Sequence, residues 1–331
     1  MKTNAAQIQS LRSFSNNAPA VLLASGMGVN ALRTNNLLRK QEWVELDKAV
    51  VDIARQRLVG IADLQRLGLT LSLGGLGTLI SQYEAQSDMT PADITMSGIA
   101  SAEKDSVDFD LRSVPVPIVS KEFDINIRRL EASRRLGDSI DVTQGTVASR
   151  RVADGLESLL FSGAGVSVDG NAIYGYTTHP DRNTGTATGP WSVIANIYPT
   201  VLDMIRDMHA DRMWGSYMLY VAGDVWPDLL QVYDDGSGET ARDRVLRIPQ
   251  LTEIKPADEL SSGEAVMVQM SRDTVDLAVA QDIATVEWAT RGGMITNFLV
   301  FACMVPRLKS DHSGRMGIVH YSGLRPVAGP S

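Results

Sequence analysis

A long polar stretch between two strand-like patterns places the strongest constraint on how this chain can fold. Residues 69–73 alternate between apolar and polar side chains, glycines at 74, 75 and 77 interrupt the pattern, and residues 106–112 alternate again. A period of two is typical of strands, so the two patterns predict the two strands of an extended hairpin. A hairpin that stands alone cannot bury its own faces and is marginally stable in water. The prediction therefore includes a partner surface.

Two segments have the apolar spacing of three and four residues that is typical of amphipathic helices. The first covers residues 41–67, and Gly68 is a plausible stop. The second covers residues 141–161, and Gly163 follows its end. The predicted apolar stripe of the second helix is Val147, Ala148, Val152, Leu156, Leu159 and Leu160, and its predicted polar side is Arg150, Arg151, Asp154, Glu157 and Ser158.

The remaining patterns predict a mixed α+β fold. A strand is expected at 118–127, directly after the prolines of Val114-Pro-Val-Pro117, and a short helix at 130–136. Further helices are predicted at 193–213 and 225–232. Further strands are predicted at 217–222, 250–254, 265–270, 275–280, 284–290, 297–306 and 317–321.

The sequence offers no set of side chains that would support catalysis or hold a cofactor. The four histidines, at 179, 209, 312 and 320, form neither a helical pair nor a zinc-type cluster. The glycines at 74–77 lack the spacing of a dinucleotide-binding loop. Cys303, the one cysteine, lies in an apolar run, and apolar burial raises a thiol pKa and disfavours a nucleophile. We expect no enzyme activity, no cofactor and no metal.

Charge and hydropathy limit the expected partners. The chain has 31 basic and 39 acidic residues and a net charge of −8, which argues against a surface that grips the phosphates of nucleic acid. An acidic wall can still enclose DNA without sequence-specific binding. No apolar run reaches the roughly 18 residues of a membrane span, so no membrane partner is expected.

The order of segments between residues 114 and 176 is more specific. Val114-Pro-Val-Pro117 leads into a strand, an arginine-rich stretch follows at 128–137, and Ile140-Asp-Val142 leads into the long helix. That helix ends in Leu-Glu-Ser-Leu-Leu-Phe-Ser-Gly163, and Ile173-Tyr-Gly-Tyr176 comes after a short loop. This order resembles the Hong Kong 97 capsid fold of tailed-phage coat proteins and encapsulins, in which a similar long helix is the spine of the peripheral domain.

The resemblance covers roughly residues 40–323 and implies a division of the chain. The expected parts are an N-terminal arm (1–38), an amphipathic helix (39–68), an extended loop (69–112), a peripheral domain (113–190) with its spine helix at about 141–162, an axial domain (191–272), a peripheral return (273–323) and a C-terminal tail (324–331).

The resemblance also implies a function. It is that of a major capsid protein of a tailed bacteriophage, whose copies form the pentamers and hexamers of an icosahedral shell around a double-stranded DNA genome. Such a shell is assembled in the host cytoplasm and belongs to the virion, with separate scaffolding, portal and decoration proteins as further candidate partners. Candidate assembly contacts are Tyr83, Glu84, Arg128, Arg129, Arg134, Arg135, Arg150 and Arg151.

Lys104 is the only lysine between residues 69 and 112. Some phage coats are crosslinked by a lysine–asparagine bond, and we expect no such crosslink here.

Two alternatives to a phage capsid stay open. An encapsulin shell encloses cargo protein, and the polar residues 1–38 depart from its usual pattern. An α/β enzyme built on residues 191–270 would need converging polar groups that the sequence does not offer.

Overall fold

The computed structural model describes residues 48, 50, 57–86, 109–128, 132, 143–165, 167–168, 170–233 and 238–325. The chain divides into two units. Unit 1 comprises Met1–Ser81, Pro115–Gly175 and Asp276–Pro306, and unit 2 comprises Gln82–Val114, Tyr176–Val275 and Arg307–Ser331. Both units combine helices with sheets, in agreement with the predicted α+β class.

The α-helices and β-strands for which the structure gives bounds follow one another in a mixed order along the chain. They are α1 (Gly60–Arg66), β1 (Thr70–Ser72), β2 (Ile80–Gln86), β3 (Phe109–Pro115), β4 (Ile118–Asn126), α2 (Thr143–Phe161), β5 (Ser167–Val168), β6 (Asn171–Ala172), β7 (Asn183–Thr186), α3 (Ile197–Ala210), β8 (Tyr217–Ala222), α4 (Trp226–Leu229), α5 (Ala241–Val245), β9 (Leu251–Ala257), β10 (Ala265–Gln269), β11 (Val275–Thr290), β12 (Ile295–Leu308) and β13 (Ile318–Ser322).

Unit 1 packs the long helix α2 against a four-stranded sheet with the order β1-β11-β12-β4. Strand β1 is parallel to β11, and β4 is antiparallel to β12. The rings of Phe123 and Phe298 stack across the β4–β12 pair with 4.9 Å between their centroids. Helix α2 approaches β4 so closely at Gly155 that a Cβ there would lie 3.0 Å from Val119 Cγ1.

Unit 2 is built on a five-stranded sheet with the order β7-β13-β10-β8-β9. Strand β10 is antiparallel to both β8 and β13, whereas the outer strands β9 and β7 run parallel to their neighbours. Every residue of β8 is buried, as its uninterrupted apolar sequence predicts. Helix α3 is held to the sheet by polar contacts such as Tyr321 Oη, which donates to Asp207 Oδ2 at 2.8 Å.

The prediction that residues 69–73 and 106–112 form the two strands of one hairpin is wrong. Strand β1 pairs with β11, and the first hairpin strand is β2, which lies in the stretch predicted to be polar loop. Strand β2 does not show the alternation of apolar and polar residues that predicts a strand, because only Ser81 among its described side chains is buried. The face that carries Ser81 and Tyr83 makes polar contacts instead of apolar ones, so β2 shows no alternation of apolar residues.

Two other predictions are corrected by the packing of unit 1. The helix predicted over 41–67 is interrupted, since Leu58 and Val59 are not helical and α1 begins at Gly60. On α2, the predicted stripe residue Val147 is 48% exposed, whereas Glu157, predicted on the polar side, is 4% exposed. Glu157 is buried because its carboxylate accepts the backbone N–H groups of Gly60 (3.1 Å) and Ile61 (3.0 Å) at the start of α1.

The strand predictions after residue 273 need one change. The separate strands predicted at 275–280 and 284–290 form a single strand, β11. The segment expected to return to the peripheral domain, 273–323, is shared between the units, because β13 pairs with β10 and β7 in the sheet of unit 2. The helix predicted at 130–136 falls almost entirely outside the described residues.

Candidate assembly surfaces

The base of the hairpin formed by β2 and β3 is well defined. Val116 N donates to Leu79 O at 2.9 Å, and Gln82 Nε2 donates to Ser113 Oγ at 3.3 Å. From Leu79 to Gln82 the partner residues go backwards along the chain, from Val116 to Ser113, as in an antiparallel pair. Continuing the same pairing places Glu84 opposite Leu111. Both side chains are exposed, and Leu111 is 57% exposed.

Strand β3 is fastened to the rest of unit 2 through Arg112. Its Nη1 donates to Ser310 Oγ at 2.7 Å and lies 3.5 Å from Asp181 Oδ2. Ser310 Oγ in turn donates to Asp181 Oδ2 at 2.6 Å, and Ser310 is 5% exposed. The guanidinium, the hydroxyl and the carboxylate therefore form a closed triangle of polar contacts.

Strand β2 is fastened through Tyr83, one of the predicted assembly residues. Its hydroxyl donates to Leu308 O at 2.9 Å, and the guanidinium of the buried Arg307 lies 6.0 Å from its ring centroid. Arg307 Nη1 also donates to Gln82 O at 3.3 Å. Burial raises the pKa of Tyr83, so its hydroxyl stays protonated and remains a donor. We call the contacts of Gln82, Tyr83, Arg112, Asp181, Arg307, Leu308 and Ser310 the hairpin clamp.

Removal of one hydroxyl should loosen the hairpin clamp. We expect Ser310→Ala to increase hydrogen exchange at the backbone amides of β2 and β3 about tenfold, because Arg112 and Asp181 lose their shared neutral partner. Mass-spectrometric hydrogen exchange on peptides that cover 80–86 and 109–115 would measure this. Ser313→Ala, in an exposed turn, is the matched control, and equal protection in both variants would contradict the clamp.

His179 lies beside the hairpin clamp and is buried, with 4% exposure. Burial lowers the pKa of His179 to about 4, and the guanidinium groups of Arg112 and Arg182 act in the same direction against the carboxylate of Asp181. The neutral ring suits the geometry, because Asp181 N donates to His179 Nδ1 at 3.2 Å and an imidazolium could not accept that bond.

A buried neutral histidine makes unit 2 sensitive to acid. The folded-state pKa of about 4 lies below the unfolded value of 6.5, so the stabilisation is complete above pH 6.5 and is lost as the pH falls towards 4. The difference corresponds to about 3 kcal/mol. We expect the thermal midpoint of unfolding to fall between pH 6.5 and 4.5, and to fall clearly less in His179→Gln. His312→Gln, in an exposed turn, should behave like the parent chain, and equal pH profiles for all three proteins would contradict this assignment.

The other predicted assembly residues have different positions. Arg150 and Arg151 lie exposed on α2, and Arg151 Nη1 is 3.7 Å from Asp154 Oδ2. Arg128 is exposed just after β4, and its backbone N–H donates to Asn126 Oδ1 at 2.9 Å. Arg129, Arg134 and Arg135 lie outside the described residues. The structure therefore brings Tyr83 and Glu84 together on one strand and leaves the described arginines on unit 1.

The two halves of the sequence signature at 156–176 meet in unit 1. A Cβ on Gly175 would lie 2.5 Å from both Gly163 N and Phe161 O, and a Cβ on Gly163 would lie 2.1 Å from Ile173 O. Gly163 also has φ +72°, a left-handed conformation that favours glycine. The glycines are needed because the backbone after α2 passes directly against the backbone at 173–175.

Cys303 and the side-chain types that ligate metals bear on catalytic and metal-binding chemistry in the part of the chain that the structure describes. Cys303 is 2% exposed in β12, and burial raises the pKa of its thiol, as predicted. No group of three or more His, Cys, Asp or Glu side chains among the described residues is placed to hold a metal ion. None of the described helices has the length and apolar character needed to cross a membrane.

Comparison with known proteins places the chain in a family. A model described as a family of unknown function, DUF6260, matches residues 30–321. The chain belongs to the DUF6260 family. Among curated proteins, this DUF6260 chain is 26% identical over 279 residues to the type 1 encapsulin shell protein EncA of Myxococcus xanthus (strain DK1622), covering 83% of the chain and 91% of EncA.

Solved structures fix the fold of the DUF6260 chain. The virus-like particle of Pyrococcus furiosus matches with a TM-score of 0.61 and 16% identity, over 84% of this chain and 98% of that one. The capsid of Myoviridae phage XM1 matches with a TM-score of 0.61 and 11% identity, over 78% and 90%. The predicted resemblance to the Hong Kong 97 capsid fold and its encapsulin relatives is confirmed. By their names, these relatives are shell and capsid proteins rather than enzymes.

Proposed function

We propose that this chain is a structural protein whose copies assemble into a closed icosahedral shell of pentamers and hexamers. The observation that carries the proposal is the hairpin formed by β2 and β3. The hairpin clamp holds it to the rest of unit 2, while Glu84 and Leu111 on its outer face stay exposed. A strand pair held in this way is oriented for contact with another copy. Contacts that join different surfaces of neighbouring copies close into a shell when rotational symmetry relates the copies.

For the contents of the shell we propose a double-stranded DNA genome, so that the protein is the major capsid protein of a tailed phage, assembled in the host cytoplasm and carried in the virion. The support is the polar stretch 1–38 ahead of the predicted amphipathic helix, which suits an arm that crosses neighbouring subunits. The net charge of −8 suits a wall that holds DNA without adhering to it. In this proposal the peripheral domain (113–190 and 273–323) falls mainly in unit 1, and the axial domain (191–272) falls in unit 2.

A cargo-filled compartment is the second candidate. It is favoured by the 26% identity to EncA, which extends over 91% of that shell protein. Both candidates share the fold and the need for contacts between copies. They differ in what the particle encloses and in whether portal, scaffolding or decoration proteins accompany it.

Particles purified from the native host would test the proposal and separate the two candidates. Megadalton particles in size-exclusion chromatography and round shells in electron micrographs are expected. Nuclease-resistant DNA of uniform length inside them would support the phage capsid, and a single co-purified protein without DNA would support the compartment. A small oligomer as the largest species would contradict both.

A further inference from the structure

The turn between α3 and β8, residues 211–216, presents an aromatic side chain to solvent on a rigid support. Trp214 is 65% exposed, and its ring stacks on His209 with 4.2 Å between the centroids. Gln269 Nε2 donates to Trp214 O at 3.2 Å. A Cβ on Gly215 would lie 2.9 Å from the same nitrogen, so the turn lies close against the Gln269 side chain.

The start of the turn is fixed equally well. Asp211 Oδ2 accepts from Asn183 Nδ2 at 2.7 Å and from Met316 N at 3.1 Å, which ties the turn to β7 and to the segment before β13. Arg212 has φ +60°, an uncommon conformation for a residue with a side chain, and such conformations persist only where their surroundings hold them. Trp214 and Arg212 therefore project from a turn that loses little freedom on binding.

Arg212 differs from every other basic residue in the described part of unit 2. The others form ion pairs, hydrogen bonds or ring contacts, as Arg206 does with Asp203, Arg244 with Tyr233 and Lys309 with Arg272 O. The exposed guanidinium of Arg212 has no such partner among the described residues. The turn thus carries an unpaired positive charge two residues from an exposed indole.

The hairpin carries the complementary pair of groups. Glu84 on β2 is exposed and makes no ion pair with the described residues, and Leu111, which the strand pairing places opposite it, is 57% exposed. An anion beside an aliphatic side chain matches a cation beside an aromatic one, in charge and in polarity.

We propose that the turn at 211–216 is the receiving surface for the hairpin of a second copy, with Arg212 paired to Glu84 and Trp214 packed on Leu111. Exposed tryptophans and arginines held in advance are the residues that most often dominate the energy of protein interfaces. The occupant is a second copy because its hairpin supplies both complementary groups from one exposed face. The inference rests on the proposed assembly into shells and names a contact within it.

A charge exchange tests the pairing. Glu84→Arg and Arg212→Glu, each alone, should raise the subunit concentration needed for assembly about tenfold, because like charges would then face each other in the contact. The double variant should restore assembly to within about twofold of the parent chain. Light scattering at a series of concentrations, with electron microscopy of the products, measures both effects. Failure of the double variant to assemble better than either single variant overturns the pairing.

A second exposed acid of unit 2 provides the matched control. Asp273→Arg reverses the charge of an exposed residue that also makes no ion pair among the described residues. Combined with Arg212→Glu, it should leave assembly as weak as in Arg212→Glu alone. Rescue by Asp273→Arg would mean that net charge, and not the contact with Glu84, governs assembly.

Cysteine crosslinking keeps the proposal testable even where charge reversal impairs folding. A chain with Glu84→Cys mixed with a chain with Arg212→Cys should give a covalent dimer when treated with a short bismaleimide, and neither chain alone should do so. A bridging reagent is needed because the Cβ atoms of an Arg–Glu pair lie too far apart for a direct disulfide. Particles without that dimer overturn this contact and leave the shell intact as a proposal. Absence of both particles and dimers overturns the contact together with the shell.

Discussion

Replacement of Gly175 by alanine is expected to lower the thermal midpoint of unfolding by about 10 °C and to reduce the yield of soluble protein. The added Cβ would lie 2.5 Å from three backbone atoms, C and O of Phe161 at the end of α2 and N of Gly163 just after it, and backbone cannot rotate away as a side chain can. Overpacking costs up to about 3 kcal/mol and occasionally more, and the fixed backbone atoms place this site at the upper end of that range. Differential scanning fluorimetry and circular dichroism of the purified chain would measure the loss.

Gly77 is the matched control for Gly175. No atom lies within 4 Å of the place where its Cβ would stand, and it does not have a positive φ. We expect Gly77→Ala to keep the midpoint of the parent chain to within about 1 °C. If Gly175→Ala unfolds at the same temperature as Gly77→Ala, the two halves of the signature do not pack as described.

Loss of the Glu157 carboxylate should destabilise unit 1 by about 3 kcal/mol. Its two oxygens accept the N–H groups of Gly60 and Ile61, and the residue before α1, Val59, provides no side-chain cap. In Glu157→Ala both donors would remain buried without an acceptor, at the positive end of a helix. Chemical denaturation followed by circular dichroism would record the change as a lower midpoint.

Two further variants define the contribution of Glu157. Glu157→Gln keeps one acceptor oxygen and should lose about half as much stability, because an amide NH₂ then faces the second N–H group. Glu122→Ala removes an exposed acid from β4 and should have little effect. A midpoint for Glu157→Ala equal to that of Glu122→Ala would show that the carboxylate does not cap α1.

The sequence alone predicts best where burial imposes a simple pattern. Strand β8 was predicted with its observed bounds because all six of its residues are apolar and buried. Helix α2 was predicted to within two residues at its start, because its apolar face repeats with helical spacing. The division of β11 into two predicted strands reflects the polar residues Gln281 and Asp282, which interrupt its apolar pattern without ending its pairing.

The hairpin shows where sequence patterns fail. Strand β2 has no apolar face to reveal it, and its partner β3 is 23 residues further along the chain by the bounds of the two elements. The hairpin clamp could not be predicted from the sequence either, because Arg112 contacts Asp181 and Ser310, which lie far from it along the chain. Nothing in the local sequence distinguishes such a partly buried ion pair from solvated surface charges.

The burial of Glu157 has a similar explanation. Its position in the helical repeat places it beside apolar residues, and the usual preference of carboxylates for solvent argued for the opposite face. The start of α1 reverses this preference, because its first N–H groups have no acceptor within the helix. Glu157 supplies that acceptor although it lies far from α1 in the sequence. Sequence spacing carries no information on a contact of that range.

The alternation of the two units along the chain has a consequence for folding on the ribosome. In unit 1, Thr70 pairs with Leu277 and Ile118 with Cys303, so its sheet closes only after the intervening stretch has been synthesised. Pairings at such separation form slowly, whereas β8 and β10 of unit 2 can already pair by then. Nascent chains on one messenger therefore cannot complete the unit that carries the long helix α2 until nearly the whole chain has emerged. Any contact between copies that needs the finished unit 1 is delayed to that stage by the connectivity itself.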